Sequence, residues 1–215
     1  MPKLRQYKTF TGNENVKSPL GDCIIMYSKI GDADYRARMG KFYAGEWDHK
    51  DVLDMMGISY LEWNGERCHK FYTDFTGNKV KKFNPSLYKK VKLPKEPFWT
   101  YQFDSMNASN DIAKGVKFLT KKQQDKVHKK YKGEKIDLGG KAYTLPETAY
   151  ILSKAEGHYG ACSGIGWMAV AADVKNIDIY WGINPFKNKL DQADKDLWTT
   201  WKKHWNNEGI NPIAL

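Results

Sequence analysis

The chain has 215 residues, 41% hydrophobic and 28% charged, with a formal net charge of +10. That length buries a core without disulfide or metal staples, and no apolar run approaches the about 18 residues of a membrane-spanning helix. Cys23, Cys68 and Cys162 are far apart with no CxxC pair, which excludes zinc fingers, and MPKLRQYKTFTGNENVK has no apolar segment of the signal-peptide kind. A reducing, cytoplasmic location is therefore expected, with no membrane contact, no cofactor and no metal.

Along the chain, CIIMYSKI (23–30) reads as a short buried strand, and DHKDVLDMMG (48–57) as a short helix capped by Asp48 and stopped by Gly57. ISYLEW and ERCHKFYTDF flank Asn64-Gly65, the dipeptide that best accommodates a type I′ turn, and so predict a β-hairpin. KVKKFNPSLYKKVKLP continues as strand or loop. FWTYQF then puts Trp99, Tyr101 and Phe103 on one face of a strand by period-two alternation. Asp111 to Phe118 is expected to be helical. Thr120 and Gln123 make a capping box for a helix through TKKQQDKVHKKYKG, with Val127 and Tyr131 on its inner face and Gly133 as its stop.

Pro146 suits the first turn of a helix that ends at Gly157. A glycine-rich loop follows, then WMAVAADV as a short helix or strand and NIDIYWGI as a buried strand. The last element is a helix from Asp191 to about Asn207. Its acids stand at the start and Lys202, Lys203 and His204 at the end, which complements the helix dipole. Leu190, Leu197, Trp198, Trp201 and Trp205 fall within about 100° of arc, the width of a core-facing stripe. These elements predict a single α+β domain over residues 1–215. Its N-terminal half is rich in β-hairpin, helices follow, and the C-terminal amphipathic helix packs through its Trp stripe.

Charge placement carries the functional expectation. Between Lys79 and Lys135 there are sixteen lysines against five acidic residues, while the rest of the chain is nearly neutral. A field concentrated in this way attracts polyanions. Lys81, Lys82, Lys89, Lys90 and Lys92 surround Tyr88 and lead to Trp99, so ammonium groups can track phosphates while rings stack on bases; Lys121, Lys122, Lys126, Lys129 and Lys130 add a basic helix. Arginine occurs only at positions 5, 36, 38 and 67, which gives little support for bidentate base reading. The expected role is a non-enzymatic nucleic-acid-binding protein of low sequence specificity, bound to DNA, RNA or another acidic polymer. The alternative is a structural or assembly protein that meets protein partners in a larger particle.

Chemistry is concentrated between Glu156 and Gly166, where a carboxylate, the His158 imidazole and the Cys162 thiol lie within seven residues. GACSGIG (160–166) resembles the glycine-rich loop that opens the cofactor site of S-adenosylmethionine-dependent methyltransferases. No apolar strand is read ahead of it, no acid ends the following strand, and the Asn-Pro-Pro-aromatic motif of the DNA-modifying members is matched only by Asn184-Pro185-Phe186. Glu156 before a glycine-rich turn is similar to lytic transglycosylases and related lysozymes, which implies Glu156 as the acid. His49-Lys50-Asp51, with His128 or His158, has the form of a facial iron triad, and Asp34 with Asp48-His49-Lys50 that of a metal nuclease. In a chain with 60 charged residues, chance supplies such patterns.

Overall fold

The computed structural model describes residues 24, 55–56, 79–103, 119–139, 143–183 and 192–215. Its frame is five short strands: β1 (Phe98–Gln102), β2 (Glu134–Asp137), β3 (Gly157–Ala161), β4 (Asn176–Trp181) and β5 (Asn211–Ala214). All pair in parallel, in the spatial order β2-β1-β3-β4-β5. Parallel neighbours need long crossovers, and four helices supply them: α1 (Lys121–His128), α2 (Leu145–Lys154), α3 (Gly164–Ala171) and α4 (Gln192–Asn207). The chain steps outward from β1 to β2, returns across β1 to β3, then continues through β4 to β5.

Alternation along each strand divides the side chains between two faces. Trp99, Tyr101, Tyr159 and Tyr180 face α1, where they meet Val127, Tyr131, Leu119 and Phe103. Phe98, Ile177, Ile179 and Trp181 face α2, α3 and α4 and form the larger core with Leu145, Ile151, Leu152, Trp167, Met168, Trp198 and Trp205. Reversal of winding direction at β1 places one helix on one face and three on the other, as right-handed crossovers require.

Local chemistry accounts for the ends of the helices. Thr120 Oγ1 accepts from the Gln123 amide at 3.3 Å while Gln123 Oε1 accepts from the Thr120 amide at 2.9 Å, the expected capping box. Thr144 and Glu147 form a second box at the start of α2, with Pro146 in its first turn. At the end of α4 the Trp205 carbonyl accepts from the Glu208 and Ile210 amides, both at 3.0 Å, around Gly209 at φ +75°. Trp198 and Trp205 are buried: Trp205 stacks on Trp167 at 3.7 Å between centroids, and Trp198 meets Trp181 edge-on at 4.4 Å. A polar 16-residue helix is marginal alone; these indoles fix α4 to the sheet.

Four readings from sequence are corrected. The described fold is an α/β sheet wound by alternating strands and helices, not an α+β arrangement with hairpins; every strand pairing among the described residues is parallel. GHYGA is a fully buried central strand rather than a loop. Helix α2 stops at Lys154, and Gly157 opens β3. Ile24, read as part of a strand, is helical and buried. The hairpin around Asn64-Gly65, the 111–118 helix and most of the 48–57 helix lie outside the described residues, as do His49, Asp51, Asp34 and the side chain of Trp201. Among the described residues, no helix is long and apolar enough to cross a membrane.

Glycine at 160 is dictated by its neighbour. Gly160 pairs with Gln102 across the β1–β3 seam, and a Cβ there would collide with the Gln102 carbonyl oxygen and backbone carbon, which cannot move without breaking the ladder. Gly160→Ala is expected to destabilise the protein by about 3 kcal/mol or more, read as a fall in the urea midpoint at unchanged m.

Candidate functional site

Because all strands are parallel, their carboxyl ends and the N-termini of the helices share one edge of the sheet. The winding direction reverses between β1 and β3, and in open α/β sheets the crevice outside that reversal is where ligands bind. The residues there are Gln102 and Phe103 from β1, and Ala161-Cys162-Ser163-Gly164-Ile165-Gly166 leading from β3 into α3. The glycine-rich stretch singled out by sequence therefore stands at the switch point, with a buried strand ahead of it after all.

Each residue of that turn has an assignable part. Ser163 is the N-cap of α3, yet its hydroxyl makes no cap bond; it donates to Gln102 Oε1 and so ties the end of β1 to the start of α3. No acidic residue occupies the first turn of α3. Among the described residues, its leading amides, on Gly164, Ile165 and Gly166, lack the side-chain cap that α1 and α2 both have. Gly166 lets α3 lie close to the sheet, since a Cβ there would come within 2.8 Å of Ile179 Cδ1 and 3.3 Å of the Trp205 ring. At the same edge, Gln123 Nε2 donates to the Gly182 carbonyl at 2.6 Å, so the start of α1 is held to the end of β4. That strand ends in Tyr180-Trp181-Gly182, with no carboxylate.

The three catalytic candidates are spread along β3. Glu156 is exposed at the amino edge, where its amide bonds the Phe98 carbonyl at 2.9 Å. His158 points into the larger core, and Cys162 is buried at the carboxyl edge. Six residues of extended chain separate Glu156 from Cys162 by roughly 20 Å, too far for shared chemistry. Thr100 Oγ1 donates to the Gly157 carbonyl at 3.1 Å and lies 3.1 Å from His158 Nδ1. The His158 Nε2 is buried without a partner.

Among the described residues, the lysines of the 79–135 segment lie on two faces of the sheet. Residues 79–93 run along the three-helix face: Val80 and Phe83 are in the larger core, Lys82 donates to the Val170 carbonyl at 2.7 Å and pairs with Asp173 at 3.0 Å, and Lys89 pairs with Glu147 at 2.7 Å. Tyr88 is half-buried there, and burial, aided by Asp173, pushes its hydroxyl up to about 12. Lys81, Lys90 and Lys92 are exposed on the same segment. Lys121, Lys122, Lys126, Lys129 and Lys130 are exposed on α1 and the turn after it, on the opposite face, with Lys121 paired to Asp125 at 3.2 Å. Trp99 packs with Tyr131 and Tyr159 on that α1 face and stays partly exposed. Comparison with protein-family models, curated proteins and solved structures finds no match.

Sequence reading missed Ser163 and Gln102 as a pair. The signal for Ser163 was its place within the glycine stretch; Gln102 was visible only as the polar residue closing an aromatic run.

Burial pushes the His158 imidazole down to about 3. A histidine whose folded value lies below its unfolded value near 6.5 stabilises the fold only while neutral, so stability falls as pH drops through that interval, by up to about 1.4 kcal/mol per pH unit. Urea midpoints measured from pH 7 to pH 4 are expected to fall more steeply for the wild type than for His158→Gln.

Proposed function

We propose that the protein binds a nucleotide, or a cofactor or group donor built on one, at the β1/β3 switch point, with a phosphate at the N-terminus of α3. The observation that carries this reading is the coincidence of three features at one place: the reversal of winding, a glycine-rich strand-to-helix turn, and a helix start with neither a side-chain cap nor a first-turn acid. Backbone amides at a helix start favour an anion by direct hydrogen bonding and through the helix dipole. Glycines at 164 and 166 remove the side chains that would keep a phosphate at a distance, and Ser163 and Gln102 offer polar atoms on both sides. The missing carboxylate at the end of β4 removes the ribose-diol acceptor used by dinucleotide sites. Anchoring through phosphate rather than ribose follows, and nucleoside diphosphates are the first ligands to try.

Ser163→Asp sets a negative charge where the phosphate would sit and forfeits the hydrogen bond to Gln102; Ser163→Ala forfeits the same bond without adding charge and is the control. Calorimetric titration with ADP, UDP, GDP and CDP is expected to give binding by the wild type and a loss at least tenfold greater in Ser163→Asp than in Ser163→Ala. Binding of no nucleotide, or equal binding by the two variants, would remove the reading.

A second reading, nucleic-acid binding, is favoured by the exposed lysine face of α1 and its following turn, where Lys122, Lys126, Lys129, Lys130 and Lys132 are all exposed. A strand lying along that face would release several counterions. The affinity of a fluorescent single-stranded oligonucleotide is expected to fall with salt with a log-log slope of about −2 to −3, and to flatten when Lys126, Lys129 and Lys130 are replaced by Gln.

A further inference from the structure

Parallel strands also bring every helix C-terminus to the amino edge of the sheet, opposite the switch point. Lysines gather there: Lys129, Lys130 and Lys132 after α1, Lys154 as the last residue of α2, and Lys175 between α3 and β4, all exposed. In the same edge lies a groove of about 410 Å³, lined among the described residues by Trp99, Lys175, Asn176, Asp178 and Asn211.

We infer that this groove is a stacking subsite for one base of a single-stranded nucleic acid, with Trp99 as its platform. The inference rests on the second reading above and gives that surface a defined point of contact. Trp99 is held in place before any ligand arrives. Tyr131 packs against it at 4.7 Å between centroids, Tyr159 lies at 6.3 Å, and Gly157 leaves vacant the space that its six-membered ring fills. A fixed ring loses little freedom on binding, and a base stacked on an aromatic side chain gains roughly tenfold or more in affinity.

The polar rim suits the edge of a base. Asn176 Nδ2 is committed to the Glu156 carbonyl at 2.8 Å and Asn211 Nδ2 to Asp178 Oδ1 at 3.0 Å, which leaves each amide its carbonyl oxygen as an acceptor for base N–H groups. Asp178 is the one carboxylate in the groove wall. Its oxygens already accept from Asn211 and from the Tyr131 hydroxyl at 2.5 Å. Lys175 at the rim, with Lys129, Lys130 and Lys132 on the adjoining turn, supplies the ammonium groups for the phosphates on either side.

The full chain is titrated with two fluorescein-labelled oligomers of about ten units, oligo-dT and an abasic deoxyribose-phosphate strand of equal charge, at three salt concentrations. Wild type is expected to bind oligo-dT at least tenfold more tightly than the abasic strand. Trp99→Leu should bring the two affinities together with the salt slope unchanged. Lys175→Ala, which leaves the aromatic cluster intact, should lower the slope by about 0.7 for both oligomers. Equal wild-type affinities for oligo-dT and the abasic strand would overturn the groove while leaving the lysine face of α1 in place; absence of binding to either strand would overturn both. Should Trp99→Leu fail to fold, the comparison of the two oligomers on wild type, with the Lys175→Ala slope, decides alone.

Discussion

The close pairing of β1 with β3 is the contact from which the rest of the architecture follows. These strands are consecutive in the sheet but not in the chain, and β3 is fully buried along its length. Two glycines make the approach possible in different ways. Gly160 lets the Gln102 backbone come near enough to close the ladder, and Gly157 yields its side-chain space to the Trp99 ring. Without the seam, Gln102 does not reach Ser163, and α3 has no defined start. The two edges of the sheet thus depend on the same pair of strands.

Parallelism then sorts the chemistry. Helix starts collect at one edge and helix ends at the other, where lysines complement the carbonyl ends. The segment from Val80 to Leu93 spans the three-helix face between them. Lys82 closes the end of α3 through the Val170 carbonyl, Phe83 donates to Ala171 at 2.8 Å, and Lys89 meets Glu147 in the first turn of α2. Of the described lysines in the basic segment, Lys82 and Lys89 are tied into this strap, and those of α1 are exposed on the other face.

What the sequence revealed and what it concealed follow from burial. The Thr120–Gln123 box, the inward pair Val127 and Tyr131, the alternation in FWTYQF and the inward Trp198 and Trp205 were all legible, because each is an amphipathic or capping pattern. Strand β3 was not, because a strand buried on both faces shows no alternation, and GHYGA carries two glycines that read as turn. EKID and NPIA are short edge strands of four residues with little apolar content, so neither β2 nor β5 announces itself. Missing these three strands hid the strand-helix alternation and with it the switch point. The glycine-rich stretch was noticed on composition, but its meaning depended on a strand order that no local pattern contains.

The stacked Trp167 and Trp205 rings, inclined by only 16°, join α3 to α4 across the larger core. Two indoles so near one another couple through their strong far-ultraviolet transition, so this contact should add an exciton contribution to the circular dichroism of the folded protein in that region. Such a signal belongs to the packing of two helices on one sheet face and is blind to Trp99 on the other. The molecule therefore carries its own optical report of whether the three-helix layer is assembled, independent of anything bound at either edge.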